Sequence, residues 1–316
     1  MKYIDAHLHI NYSGFRKELI DNYLKDPELE FCLLHTWQEL RPSIPSLYQP
    51  LPLEDILEIK SQYPDRLVPF FAPDPTDPNW QQLMESALAN GVKGCGELKV
   101  NLKWSDHTLD GYLDFLNKKE LPLLIHMELP RRQFFIEKRY TLDKVLDKWF
   151  NNYKNGVTRY YTERLIRSTA VLEPWLDDHL VDFAGYLYDF EGLEQRVKEF
   201  PNIKFIGHGP HFWNNLGAQL SPKHTYQQGD YQSFGVIDKL LNTYSNFFCD
   251  ISGYSGWIAL NRNHTQTKIF LSRHADKVFY GTDNVFIGQR EFIKSLSLGS
   301  EIESKIFYKN IVSLIF

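Results

Sequence analysis

Short apolar runs rich in β-branched and aromatic residues recur along the 316-residue chain, near 2–8, 30–36, 66–72, 92–99, 122–128, 203–208, 246–252 and 277–283. Stretches with helical periodicity lie between them, for example 52–62, 79–90 and 108–119, with Asp77-Pro78 and Asp106 as helix-start signals. Strand alternating with helix builds a parallel sheet covered by helices. Eight such units predict closure into a (β/α)8 barrel, an α/β fold of about 250 residues. A doubly wound sheet would carry a glycine-rich turn after its first strand; His7-Leu8-His9 stands there instead. We therefore expect one barrel domain over 1–316.

One interval breaks the rhythm. From about 130 to 188 the chain inserts aromatic and basic material (RRQFFIEKRY, KWFNNY, YYTERLIR) between the fifth and sixth strands, with helical periodicity in places. No Gly/Ser linker flanks it, so it reads as a helical cap on the barrel rather than a second domain. Insertions after strands fall on the face where such barrels carry their chemistry, and the loop 209–230 falls on that same face.

A formal net charge of −5 and the lack of a basic stripe argue against a nucleic-acid partner. No apolar run approaches the roughly 20 residues of a membrane span. With the first strand starting at Lys2 there is no room for a cleaved signal, so cytoplasm is the default expectation. Cys32, Cys95 and Cys249 are few, scattered and set in apolar runs, and read as reduced core residues.

The polar endings of the strands carry the chemistry. Residues i and i+2 of a strand share a face, so His7 and His9 project together. His126, His208 and Asp283 end the fifth, sixth and eighth strands. Four imidazoles and a carboxylate at one end of parallel strands are costly to bury without a shared partner, and a divalent metal is that partner. Strand four adds Glu97 and Lys99: Glu97 as a ligand bridging two metals, Lys99 as a carbamylated bridge or a substrate-binding cation, or the two simply paired.

Taken in order, DAHLH, GVKGCGELKV, LLIHME, FIGHGP and YGTDN resemble the amidohydrolase superfamily. They are most similar to its amidohydrolase-related branch, which also holds aromatic-acid decarboxylases; the C-terminal KIFYKNIVSLIF resembles that branch's closing helix. The resemblance covers nearly the whole chain outside the insert. It implies a barrel whose metal is held by His7, His9, His126 and Asp283, with His208 as catalytic partner or second-metal ligand. The insert and the Glu97-x-Lys99 ending depart from the pattern and bear on metal count and substrate.

The resulting expectation is a metal-dependent hydrolase of a small molecule. Zinc is the first choice of ion, manganese or iron the alternatives, with one or two ions per chain. Asp283 would take a proton from water and pass it on, and His208 would polarise a carbonyl. The alternatives are non-oxidative decarboxylation of a small aromatic acid, with Arg131 and Arg132 as a carboxylate clamp or as solvated loop residues, and a non-catalytic metal-binding barrel. Phe212, Trp213 and Tyr254 lie near the expected site, although packing is the commoner use of aromatics. His35 is a candidate pocket residue and His211 a weaker candidate for substrate contact. His107, His179, His224, His264 and His274 read as surface residues. Aromatics of the cap would suit a homodimer face.

Overall fold

The structure is a computed structural model that describes residues 1–10, 21–40, 53–134, 160–165, 180–220, 226–285 and 288–316. The barrel strands are β1 (Tyr3–Leu8), β2 (Leu29–Trp37), β3 (Leu67–Ala72), β4 (Cys95–Leu98) and β5 (Pro122–His126). After an antiparallel ribbon, β6 (Arg131–Phe134) with β7 (Leu180–Phe183), come β8 (Lys204–His208), β9 (Phe247–Asp250) and β10 (Val278–Phe279). All eight expected strands form, and the fold is a (β/α)8 barrel. The covering helices are α1 (Leu53–Gln62), α2 (Trp80–Ala89), α3 (Leu109–Lys118), α4 (Phe190–Glu199), α5 (Pro210–Asn214), α6 (Val236–Thr243), α7 (Gly253–Asn261), α8 (His264–Arg273), α9 (Gln289–Ser295) and α10 (Ser300–Ser304). A wider turn at Lys305–Lys309 then leads into α11 (Asn310–Ile315).

Strands pair in parallel as β1-β2-β3 and as β4-β5-β8-β9-β10. Two seams close the ring. Phe70 meets Gly94 between β3 and β4, where a Cβ on residue 94 would stand 2.2 Å from the Phe70 ring, so only glycine fits. At the other seam Ala6 donates to the Tyr280 carbonyl at 2.9 Å and Asp283 donates to the His7 carbonyl at 2.7 Å.

Two apolar layers follow from strand alternation. Ile4, Ala6, Phe31, Leu33, Phe70, Leu124, Ile206 and Phe279 fill the barrel interior, with Ile311 and Leu314 of α11 packed against them. Asn310 fixes that helix by donating to the carbonyls of Ala275 and Val278, at the amino-terminal end of β10. Between strands and helices lies the larger layer; α3 shows the pattern, burying Leu109, Tyr112, Leu113 and Leu116 at helical spacing. Asp77 and Asp106 act as the expected start signals, accepting from the amides of Asn79 and Thr108. Cys32, Cys95 and Cys249 are free and buried.

The base of the insertion is a β-ribbon where helical structure was expected: Arg131 and Arg132 pair with Phe183 and Asp182. Residues 160–165 are helical; residues 135–159 and 166–179 of the proposed cap lie outside the described residues. Among the described residues no helix is long and apolar enough to cross a membrane.

Candidate metal centre

Register decides which side chains meet. On β2, β5 and β8, alternation continues the interior rows Phe31-Leu33, Leu124 and Ile206 into His35, His126 and His208. His126 and His208 are direct cross-strand neighbours. Asp250 ends β9 on the same rim, and β1 delivers His7 and, one residue past its end, His9.

His7 Nε2 and His9 Nε2 lie 3.0 Å apart. Glu97 Oε2 is 3.1 Å from His9 Nε2 and 3.6 Å from His7 Nε2, and Asp283 Oδ1 is 3.5 and 3.7 Å from the same atoms. A second group continues from it: Glu97 Oε1 is 2.6 Å from His126 Nδ1 and 3.9 Å from His208 Nε2, and Asp283 Oδ2 is 3.7 Å from His208 Nε2. The structure thus brings together His7, His9, Glu97, His126, His208 and Asp283. Lys99 joins them, with Nζ 2.7 Å from Glu97 Oε2 and 3.9 Å over the Trp37 ring.

The outer nitrogens show why a cation fits. His9 Nδ1 lies 2.8 Å from the His35 carbonyl, an acceptor, so it carries the proton and leaves a lone pair on Nε2. His7 Nδ1 faces the Asp250 carboxylate at 2.7 Å, with the same consequence. Two lone pairs aimed at each other across 3.0 Å repel unless a proton or metal ion sits between them. Metal–nitrogen bonds of about 2.0–2.1 Å at tetrahedral or octahedral angles separate ligand atoms by roughly 2.9–3.4 Å, close to the spacing found. An imidazole, an imidazole and two carboxylates form a donor set suited to zinc, manganese or iron.

Charge argues the same way. The side chains facing these rings include the carboxylates Glu97, Glu128, Asp250 and Asp283, whereas Lys99 and Arg131 are the cations paired to them. Burial works against ionised Glu97, but Lys99, His126 and His7 outweigh it and hold its pKa well below the usual range. Burial likewise opposes the His7 imidazolium, yet Asp250, Asp283 and Glu97 raise its pKa well above the ordinary value. Burial lowers the pKa of His9 and lowers that of His35 further. The field favours positive charge at the centre.

Backbone conformation places Asp283. Asp283 and Asn284 both adopt left-handed φ, +50° and +56°, uncommon for residues with a Cβ and best tolerated by Asp and Asn. The turn is held by the Asp283 amide on the His7 carbonyl. Asn284 adds to it, its Oδ1 accepting from His9 N–H at 2.9 Å and its Nδ2 donating to the His9 carbonyl.

Other expected residues sort differently. His35 is fully buried beneath His7, its Nε2 donating to the Ala6 carbonyl. His211 packs at a tilt against Phe190, and Phe212 and Trp213 are buried packing residues. Tyr254 is exposed. Arg131 binds Glu128 at 2.5 Å, while Arg132 turns to Asp182 and Glu163 in the insertion, so the pair does not form a clamp. His107 and His264 are exposed as expected; His179 and His224 lie outside the described residues. His274 is a correction: it is buried, its Nε2 2.7 Å from Asp238 Oδ1, because α8 packs beside α6.

Sequence reasoning missed Glu128, Asp250 and Ser252. Glu128 lies 3.2 Å from His126 Nε2; burial alone would raise its pKa, but His126 and Arg131 pull it down to about 2. Asp250 and Ser252 reach the outer nitrogens of His7 and His208.

Fold and site together define a barrel with side chains able to ligate a metal gathered at the carboxyl ends of its strands. No family model matches the chain, and no curated protein does. Solved structures do. An uncharacterised TIM-barrel protein from Bordetella bronchiseptica aligns over 99% of this chain and 98% of its own, at TM-score 0.59 and 12% identity. A probable 2-pyrone-4,6-dicarboxylic acid hydrolase from Acinetobacter baumannii with citric acid bound covers 100% and 99%, at 0.55 and 12%. A 5-carboxyvanillate decarboxylase from Sphingomonas paucimobilis covers 99% and 98%, at 0.53 and 12%. At these identities the likeness is one of fold, and it matches the fold of the family that the sequence motifs resemble.

Proposed function

We propose that this chain is a metal-dependent enzyme of the amidohydrolase type that hydrolyses a small molecule. The observation that carries the reading is the pair of facing Nε2 atoms of His7 and His9, enclosed by the Glu97 and Asp283 carboxylates. His7, His9, Glu97 and Asp283 would hold one divalent ion, zinc first and manganese or iron as alternatives. His126, His208 and the far oxygen of Glu97 could hold a second. Such an ion supplies Lewis-acid polarisation and a water acidic enough to lose its proton near neutral pH.

The chain's own groups do the rest. Asp283 is 29% exposed, the most open of these ligand candidates, so a carboxylate oxygen is accessible to solvent and substrate. It accepts the proton that water loses as the water oxygen bonds to the substrate carbon. The same proton passes to the leaving group as its bond to carbon breaks. His208 Nε2, 3.7 Å from Asp283 Oδ2, orients that carboxylate or polarises the carbonyl oxygen. Lys99, held by Glu97 and Trp37, keeps a positive charge under the site.

Decarboxylation is the second reading. It draws support from Arg131, which is 20% exposed at the rim beside Glu128 and could meet a substrate carboxylate. The test is metal analysis of protein purified without chelator, followed by assays across lactones, esters, amides and aromatic acids. Activity should disappear with chelation, return with metal, and fall about 10²–10⁴-fold in Asp283→Asn. An acid with an alcohol or amine as product supports hydrolysis, and carbon dioxide supports the second reading. Full activity in Asp283→Asn, or in metal-free protein, overturns the proposal.

A further inference from the structure

Asp250 lies at the end of β9, fully buried, and is not one of the expected ligands. Its Oδ2 is 2.7 Å from His7 Nδ1, and its Oδ1 is 3.4 Å from His208 Nδ1. The carboxylate is itself fixed, since Oδ1 accepts the Ser252 amide at 2.7 Å and the Asp250 carbonyl accepts Trp213 Nε1–H at 3.1 Å. Ser252 Oγ completes the hub, 3.1 Å from each of the same two nitrogens. The two rings lie against each other, centroids 4.5 Å apart.

We propose that Asp250 is a shared positioning residue that holds the Nδ1–H form of both His7 and His208, turning both Nε2 atoms to the centre together. This rests on the metal-site reading above. A carboxylate accepts from two imidazoles at once, one through each oxygen. An amide cannot: it offers one acceptor and one donor, so once the Ser252 hydroxyl, 3.1 Å from each ring nitrogen, is also removed, one ring facing an asparagine must present Nδ1 as an acceptor and move its proton to Nε2. That ring is then lost as a ligand. Protein groups behind a metal-binding histidine typically alter metal affinity about 10–100-fold. The hub is not a cation site of its own. An ion bound there together with one at the centre would require His7 to carry no proton on either nitrogen, and the 2.7 Å contact is already a hydrogen bond.

The experiment loads the full chain with Zn2+ alone, measures affinity by competition with a chelator, and reads the imidazole nitrogens by 15N NMR of histidine-labelled protein. In the wild type, His7 and His208 should both carry Nδ1–H. In Asp250→Asn/Ser252→Ala at least one should switch to Nε2–H, and zinc affinity should fall about 10–100-fold. Ser252→Ala should keep both tautomers and lose far less affinity. An Nε2–H tautomer at either ring of the wild type overturns the inference whether or not the variant folds. So does Asp250→Asn/Ser252→Ala with unchanged tautomers and affinity. Failure of the wild type to bind any divalent metal instead overturns the proposed function.

Discussion

Glu97→Gln in metal-free protein separates the structural role of the fourth strand from its proposed ligating role. Glu97 and Lys99 are both buried, their charged atoms 2.7 Å apart. At that separation and an effective dielectric of about 20, two unit charges attract by roughly 6 kcal/mol, part of which offsets their removal from water. Deleting one partner of a buried pair typically costs about 3–5 kcal/mol, because the other charge stays buried alone. Glu97 also receives His126 at 2.6 Å, which places the expected loss in the upper half of that range. In the double variant Glu97→Gln/Lys99→Met the unpaired charge is gone, while methionine keeps apolar contact with Trp37. It should recover about 2–3 kcal/mol of stability relative to Glu97→Gln and none of the activity. Urea unfolding of chelator-treated proteins at pH 7.5 measures the cycle. Burial opposes the Glu97 charge but its cationic neighbours hold the pKa below 4.5, so the contribution is complete above that pH and lost only in acid. A single-variant cost under about 1 kcal/mol, or strictly additive costs, would refute Lys99 as the counter-ion.

Gly253 has φ +69°, and a Cβ there would stand 2.6 Å from Asp283 Oδ2, so Gly253→Ala should displace the carboxylate and lower kcat about 10²-fold. Left-handed strain should cost about 1–2 kcal/mol in stability; an unchanged kcat in folded protein would show that Asp283 does not need this position. Burial pushes the His211 pKa down to about 4 against an ordinary 6.5. The unfolded chain therefore takes up this proton first, and stability should fall as pH drops from 6.5 towards 4. His211→Gln should narrow the difference between melting temperatures at pH 7.5 and 4.5, and an unchanged difference would exclude His211 from the acid sensitivity.

The strands were legible because each is a short apolar run whose neighbours have a different period, and period 2 fixes what shares a face. His126 and His208 came out as neighbours for that reason: each ends its strand at the same height. The same rule, applied to acids as well as histidines, would have found Asp250, which ends β9 as His126 ends β5. Reading FFCDIS for its cysteine concealed it. Glu128 was legible by the same rule, since it stands at i+2 from His126 inside the expected run 122–128, although β5 itself ends at His126 and Glu128 bridges to Tyr186. His274 sits in a polar stretch, SRHADK, and its burial comes from helix packing that no local pattern records. The ribbon at the base of the expected helical cap was not foreseen, because four-residue runs such as RRQF and LVDF are too short to show a period.

The site depends on closure of the ring more than on any one strand. His7 and His9 come from the first strand and Asp283 from the turn after the last, so the distances between them exist only once β1 and β10 meet. What joins them is little regular ladder: β10 is two residues long, and beyond it the seam runs through the Asp283 amide and the Asn284 side chain. Those hydrogen bonds oppose the cost of two successive left-handed residues. The strain is retained where it aims a carboxylate at two imidazoles, which is what a ligating role requires and a purely structural turn would not. Since the unfolded chain holds no such arrangement, an ion taken up there binds the closed barrel alone, and its binding free energy adds directly to the stability of the seam.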